Sequence, residues 1–167
     1  MKLIVTMDWL ECSGIVGELE VFERPEGWRF TYSQDWAERG FQLGQSLPLF
    51  PGFPHQTTEL PSAFQDVAPD KWGRFVLEHS QTRFLSEADY LLGVSDNLRM
   101  GALRLSSTDA PEIYLSERSL IPKLVALDEL EEASLRMENG RETDADLRAL
   151  IGVGTSVGGA YPKIVVE

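Results

Sequence analysis

The residues of this chain best suited to hold a charged ligand are Thr155-Ser156-Val157-Gly158-Gly159-Ala160-Tyr161-Pro162-Lys163. Paired glycines lack a Cβ, so consecutive backbone N–H groups can converge on an anion, and the nearby Lys163 supplies a countercharge. The β-branched run Ile164-Val165-Val166 predicts a strand directly after the turn. The segment fits neither the Walker pattern nor the dinucleotide pattern. As isolated sequence it therefore reads in two ways, as a phosphate cradle or as a plain helix-to-strand turn. Lys163 either reaches the loop's ligand or caps a surface strand. Ser156 is either open to phosphorylation or hydrogen-bonded to its own backbone, as turn serines commonly are. A loop of this kind belongs early in a nucleotide-binding domain, and the sequence stops at Glu167. We expect the chain to be the front portion of something larger.

The remaining reactive side chains offer little to catalysis. His79 falls on the apolar face of its expected helix and reads as a core or boundary residue, while His55 sits in a proline-rich stretch and reads as solvated. One cysteine, Cys12, and two separated histidines make no metal-ligand cluster. No serine occupies a Gly-x-Ser-x-Gly elbow, so a hydrolase triad is not expected. The segment Asp66-Val67-Ala68-Pro69-Asp70-Lys71-Trp72-Gly73-Arg74 clusters charge around a large aromatic, which suits a binding site. It suits a helix start better, with Pro69 fixing the approach, Asp70 as the cap and Trp72 anchoring the core.

The elements that must position these residues follow from periodicity. Lys2–Asp8, Ile15–Glu23 and Trp28–Ser33 read as strands, the third alternating Trp28, Phe30 and Tyr32 with Arg29 and Thr31, and Arg24-Pro25-Glu26-Gly27 joins the last two. Prolines at 48, 51, 54 and 61 and glycines at 40, 44 and 52 make Gly40–Pro61 a structured loop. A helix is expected from Asp70, and a second from Ser86, whose side chain caps while Asp89 occupies the third position; Gly93 closes it. Gly101–Ser106 reads as a strand returning to the sheet. A third helix spans about Lys123 to Met137, ended by Asn139-Gly140, and Thr143 caps a last one through Leu150. The nearest thing to a boundary is Ser106–Pro111. The class is α+β, a small antiparallel sheet with segregated helices.

Composition narrows the function further. At 167 residues and 43% hydrophobic content, the chain can bury a core. Fifteen basic residues against twenty-seven acidic ones give a net charge of −12, a field that repels phosphate backbones and anionic membranes. Direct nucleic-acid binding is disfavoured. Between Asp109 and Leu150 eleven acidic residues face five basic ones, either a solvated helical face or a dock for a basic partner. A single cysteine, no signal peptide and no eighteen-residue apolar run predict a cytoplasmic protein, with no membrane partner.

Several segments, in order, carry a resemblance: Val16-Gly17-Glu18-Leu19, Leu47-Pro48-Leu49, Ala68-Pro69-Asp70-Lys71-Trp72-Gly73-Arg74, Asp89-Tyr90-Leu91-Leu92-Gly93-Val94-Ser95-Asp96, Arg99-Met100-Gly101-Ala102-Leu103-Arg104 and Ser156 to Lys163. The chain resembles the N-terminal part of HipA-like serine/threonine kinases, toxins of bacterial type II toxin–antitoxin systems. The resemblance implies a HipA-like N-terminal subdomain over residues 1–106, then a helical linker and the beginning of an ATP-binding, kinase-like N-lobe over 107–167, with the glycine-rich loop at 155–163. In that reading Ser156, Val157, Gly158, Gly159, Ala160 and Lys163 contact the nucleotide, and Ser156 is the regulatory phosphosite. Where the family commonly carries arginine this chain carries Tyr161. The family's ATP-contacting strand lysine, catalytic aspartate and magnesium-binding acid would lie beyond position 167, so the resemblance assigns no catalytic and no metal-binding residue here. ATP and magnesium are expected cofactors of the full-length parent. Expected partners are the remaining kinase lobe and a HipB-like helix-turn-helix antitoxin, with DNA reached only through that antitoxin. The alternative is a stand-alone, non-enzymatic module that binds and regulates a HipA-like kinase in trans.

Overall fold

The computed structural model describes residues 1–23, 25–94, 96, 99–114 and 127–154. Contacts divide these into two compact units, one formed by residues 1–67 with the chain from Gly101 through the sixth strand, the other by residues 68–100 with the last two helices.

The first unit is built on a six-stranded sheet of β1 (Lys2–Met7), β2 (Gly14–Glu23), β3 (Glu26–Tyr32), β4 (Pro54–Thr57), β5 (Leu103–Ser107) and β6 (Ala110–Tyr114). Their order is β4-β3-β2-β1-β5-β6, and every neighbouring pair is antiparallel. Register follows the alternation of side chains. Leu3 opposes Leu19, Leu19 opposes Phe30, Val21 opposes Trp28 and Val5 opposes Leu105, so one face is continuously apolar and buried. The opposite face pairs charges instead, with Glu20 taking Lys2 at 2.8 Å and Arg29 at 2.9 Å. Helices α1 (Gln34–Arg39) and α2 (Ser62–Gln65) contribute Trp36 and Phe64 to the core. Phe64 meets Phe30 edge-on at 5.4 Å. The Tyr32 hydroxyl donates to the Leu47 carbonyl at 2.7 Å and accepts from the Leu43 N–H, pinning the long loop after α1.

The second unit is helical: α3 (Lys71–His79), α4 (Glu87–Gly93), α5 (Leu127–Glu138) and α6 (Asp144–Gly154). Trp72 and Val76 of α3, Ala133 and Met137 of α5 and Leu150 of α6 form its buried cluster.

The expected α+β class and antiparallel sheet are present. The details depart in several places. Gly40–Pro61 is not all loop, because Pro54–Thr57 pairs with β3 as an edge strand, where a proline costs no ladder hydrogen bond on its free side. The short helices α1 and α2 and the strand β6 are not expected from the sequence pattern. Glu26 and Gly27 belong to β3, with pairing continuing down to Glu23 opposite Glu26, which leaves a tighter connection than Arg24–Gly27. Finally, α6 continues past Leu150 to Gly154, while the expected start of the third helix near Lys123 lies outside the described residues.

Candidate functional site

The predicted site residues Ser156, Val157, Gly158, Gly159, Ala160 and Lys163 lie outside the described residues. What the structure defines is the helix that leads to them in sequence. α6 starts in a reciprocal cap: Thr143 Oγ1 accepts from the Asp146 N–H at 3.2 Å, while Asp146 accepts from the Thr143 N–H and hydroxyl, both at 2.9 Å. Arg136 of α5 adds two hydrogen bonds to the same carboxylate, at 3.0 and 2.7 Å. The Arg136 bonds, with help from Thr143, hold the Asp146 carboxyl well below the usual carboxylate range, and Asp146 with Glu132 raises the Arg136 guanidinium. The α5–α6 corner is thereby fixed by one buried carboxylate.

The segment around Trp72 proves structural. Asp70 caps α3 by accepting from the Gly73 N–H at 2.7 Å, and Trp72 is 4% exposed in the helical core. Arg74 reaches across to α4, donating from both terminal nitrogens to the Glu87 carboxylate at 2.6 and 2.8 Å and lying 4.5 Å over the Tyr90 ring. The Tyr90 hydroxyl donates to Glu78. Burial, then this bond to Glu78, pushes Tyr90 up to about 12, so it stays protonated and offers no base near neutrality. Ser86 and Asp89 cap α4 reciprocally, and Arg83 grips Asp89 at 2.6 and 2.9 Å. A depression of about 420 Å³ opens beside Glu78, Arg83, Phe84 and Tyr90. Its cation, Arg83, is engaged by Asp89 and its carboxylate, Glu78, by the Tyr90 hydroxyl, so these groups hold the helices together rather than supplying a free acid or base.

Arg99 went unremarked on its own terms. Its side chain is buried and donates to the Leu91 and Val94 carbonyls at 3.0 and 3.2 Å, with Asp96 at 3.7 Å. It satisfies the carbonyls that α4 leaves open. An arginine six residues beyond the helix end carries no periodic signal, which is why the sequence pattern does not reveal its role.

Both histidines require correction. His55 is not solvated: it lies half-buried on β4, with ring contacts to Tyr32 at 5.9 Å, Phe53 at 6.1 Å and Phe50 at 6.4 Å. His79 is not a core residue. It is exposed in the last turn of α3, its Nδ1 2.8 Å from the Phe75 carbonyl and its ring 4.1 Å from that of Phe75. Among the described residues no group of three or more His, Cys, Asp or Glu side chains is arranged to hold a metal ion, and no helix is long and apolar enough to cross a membrane.

An antiparallel sheet followed by a helical unit defines the chain as an α+β protein. It belongs to the HipA N-terminal domain family, which matches residues 10–106, and is a HipA-like protein. No curated protein matches the chain.

Proposed function

We propose that the chain supplies the N-terminal subdomain, residues 1–106, and the glycine-rich phosphate loop, residues 155–163, of a HipA-like serine/threonine kinase that acts as the toxin of a bacterial toxin–antitoxin pair. Membership of the HipA N-terminal domain family carries this reading. Residues 107–167 begin with the edge strand β6 of the sheet and then supply the helical linker and the opening of the ATP-binding lobe. In the loop, Gly158 and Gly159 bring backbone N–H groups to the ATP phosphates and Lys163 offsets their charge. Bound magnesium supplies charge neutralisation on the transferring phosphoryl group. A phosphoryl group on Ser156 adds nearly two negative charges beside an anionic ligand and expels the loop, switching the enzyme off. The remaining kinase lobe and a helix-turn-helix antitoxin are the partners, and DNA is met only through the antitoxin.

Calorimetric titration of the complete kinase with ATP and magnesium tests the reading. Ser156→Asp weakens ATP binding by repulsion, and Gly159→Val weakens it because a β-branched side chain obstructs backbone approach. Unchanged affinity in both variants would make residues 155–163 a mere connection. A second reading is a regulatory module acting in trans on a separate HipA-like kinase, to which membership of the HipA N-terminal domain family is equally open. Inhibition of such a kinase by the added 167-residue chain distinguishes it.

A further inference from the structure

Helix α5 buries one stripe of side chains and leaves beside it a second, exposed stripe in which leucine alternates with glutamate. At about 100° per residue, Leu130, Ala133, Ser134 and Met137 fall on the buried side. Leu127, Glu131, Leu135 and Glu138 recur at the spacing of a second stripe beside it, with Asp128 at its margin, and all five are exposed. Leu127 and Leu135 keep 58% and 51% of their surface in water. The helix's one cation, Arg136, is already held by Glu132 and Asp146.

The arrangement constrains what could cover it. Glu131 sits one turn from each leucine on the same line, so no partner buries both leucines without also covering that carboxylate. An apolar partner would strip Glu131 of water and leave it unpaired, which is costly. An acidic partner would be repelled. A partner that sets lysine or arginine opposite Glu131 and Glu138, with apolar side chains over Leu127 and Leu135, satisfies both requirements at once. We propose that this outer face of α5 is a docking surface for a basic amphipathic helix of another protein. The proposal does not use residues 155–163 and stands whether or not the kinase reading does.

The probe is a labelled synthetic amphipathic peptide of leucine and lysine, with a leucine–glutamate peptide of the same pattern, titrated by fluorescence anisotropy against the 167-residue chain at physiological salt. The lysine peptide is expected to bind saturably. Leu127→Ser with Leu135→Ser should weaken it at least tenfold. Glu131→Lys with Glu138→Lys should abolish it and create binding of the glutamate peptide, a gain that a misfolded variant cannot produce. Glu11→Lys with Glu59→Lys, exposed residues elsewhere that change net charge equally, should leave binding within twofold. Absence of saturable binding, equal loss in the Glu11/Glu59 variant, or indifference to the α5 substitutions would overturn the proposal.

Discussion

Asp146, like Asp89 at the start of α4, accepts four hydrogen bonds on its side chain: two from Arg136 and two from Thr143, at the start of α6. Hydrogen bonds to a charged group are worth about 1.5–3 kcal/mol, so Asp146→Asn should destabilise the protein by an amount in that range at pH 7. The pH dependence has a definite sign. Because the folded carboxyl is held below its ordinary value, its contribution is complete above the unfolded value near 3.8 and declines as pH falls below it. Denaturant melts of wild type and variant should therefore differ most at neutral pH and converge as pH falls below about 4. A constant gap across that range would show that the amide loses shape, not charge. Trp72 makes the complementary point. Its tryptophan and helical spacing marked it from sequence as a core anchor, and it packs with Val76, Ala133, Met137 and Leu150.

Among the elements, those with local signals were legible. Ser86 to Asp89 and Thr143 to Asp146 share the three-residue spacing of a reciprocal cap, and both helices begin where that spacing places them. β1 to β3 follow their alternation. The failures have physical causes. α1 is six residues with Trp36 as its one buried residue, too short to show a period. β4 and β6 contain Pro54 and Pro111, which read as breakers until the strands are known to be edges. The Arg74–Glu87 and Arg99–Leu91 bonds join separate elements, so spacing cannot announce them. Gly17 stands out in the sequence only through the family resemblance, and the pairing of β2 with β3 explains it. A Cβ there would lie 2.1 Å from the Thr31 carbonyl oxygen. Gly17→Ala should thus force the strands apart and cost about 1–3 kcal/mol, the range for overpacking. A melt within about 0.5 kcal/mol of wild type, typical of surface changes, would show that the two strands readily shift.

At the scale of the molecule, the charge and the clusters argue together about activity. A net charge of −12 sets a field unfavourable to anions, so a phosphate-bearing ligand must be held by specific local groups. Phosphoryl transfer further requires acidic ligands for magnesium and a group to orient the attacking hydroxyl. The compact charge clusters of the described chain spend their carboxylates otherwise: Glu20 on Lys2 and Arg29, Glu87 on Arg74, Asp89 on Arg83, Asp146 on Arg136. Freeing any of them for a metal would sacrifice an ion pair that joins elements or closes a cap. The 167-residue chain by itself should therefore transfer no label from ATP to a generic protein substrate in the presence of magnesium, within the error of a control lacking protein. Reproducible turnover that scales with chain concentration would mean that these residues hold an active site, and that the glycine-rich segment works without the rest of a kinase lobe.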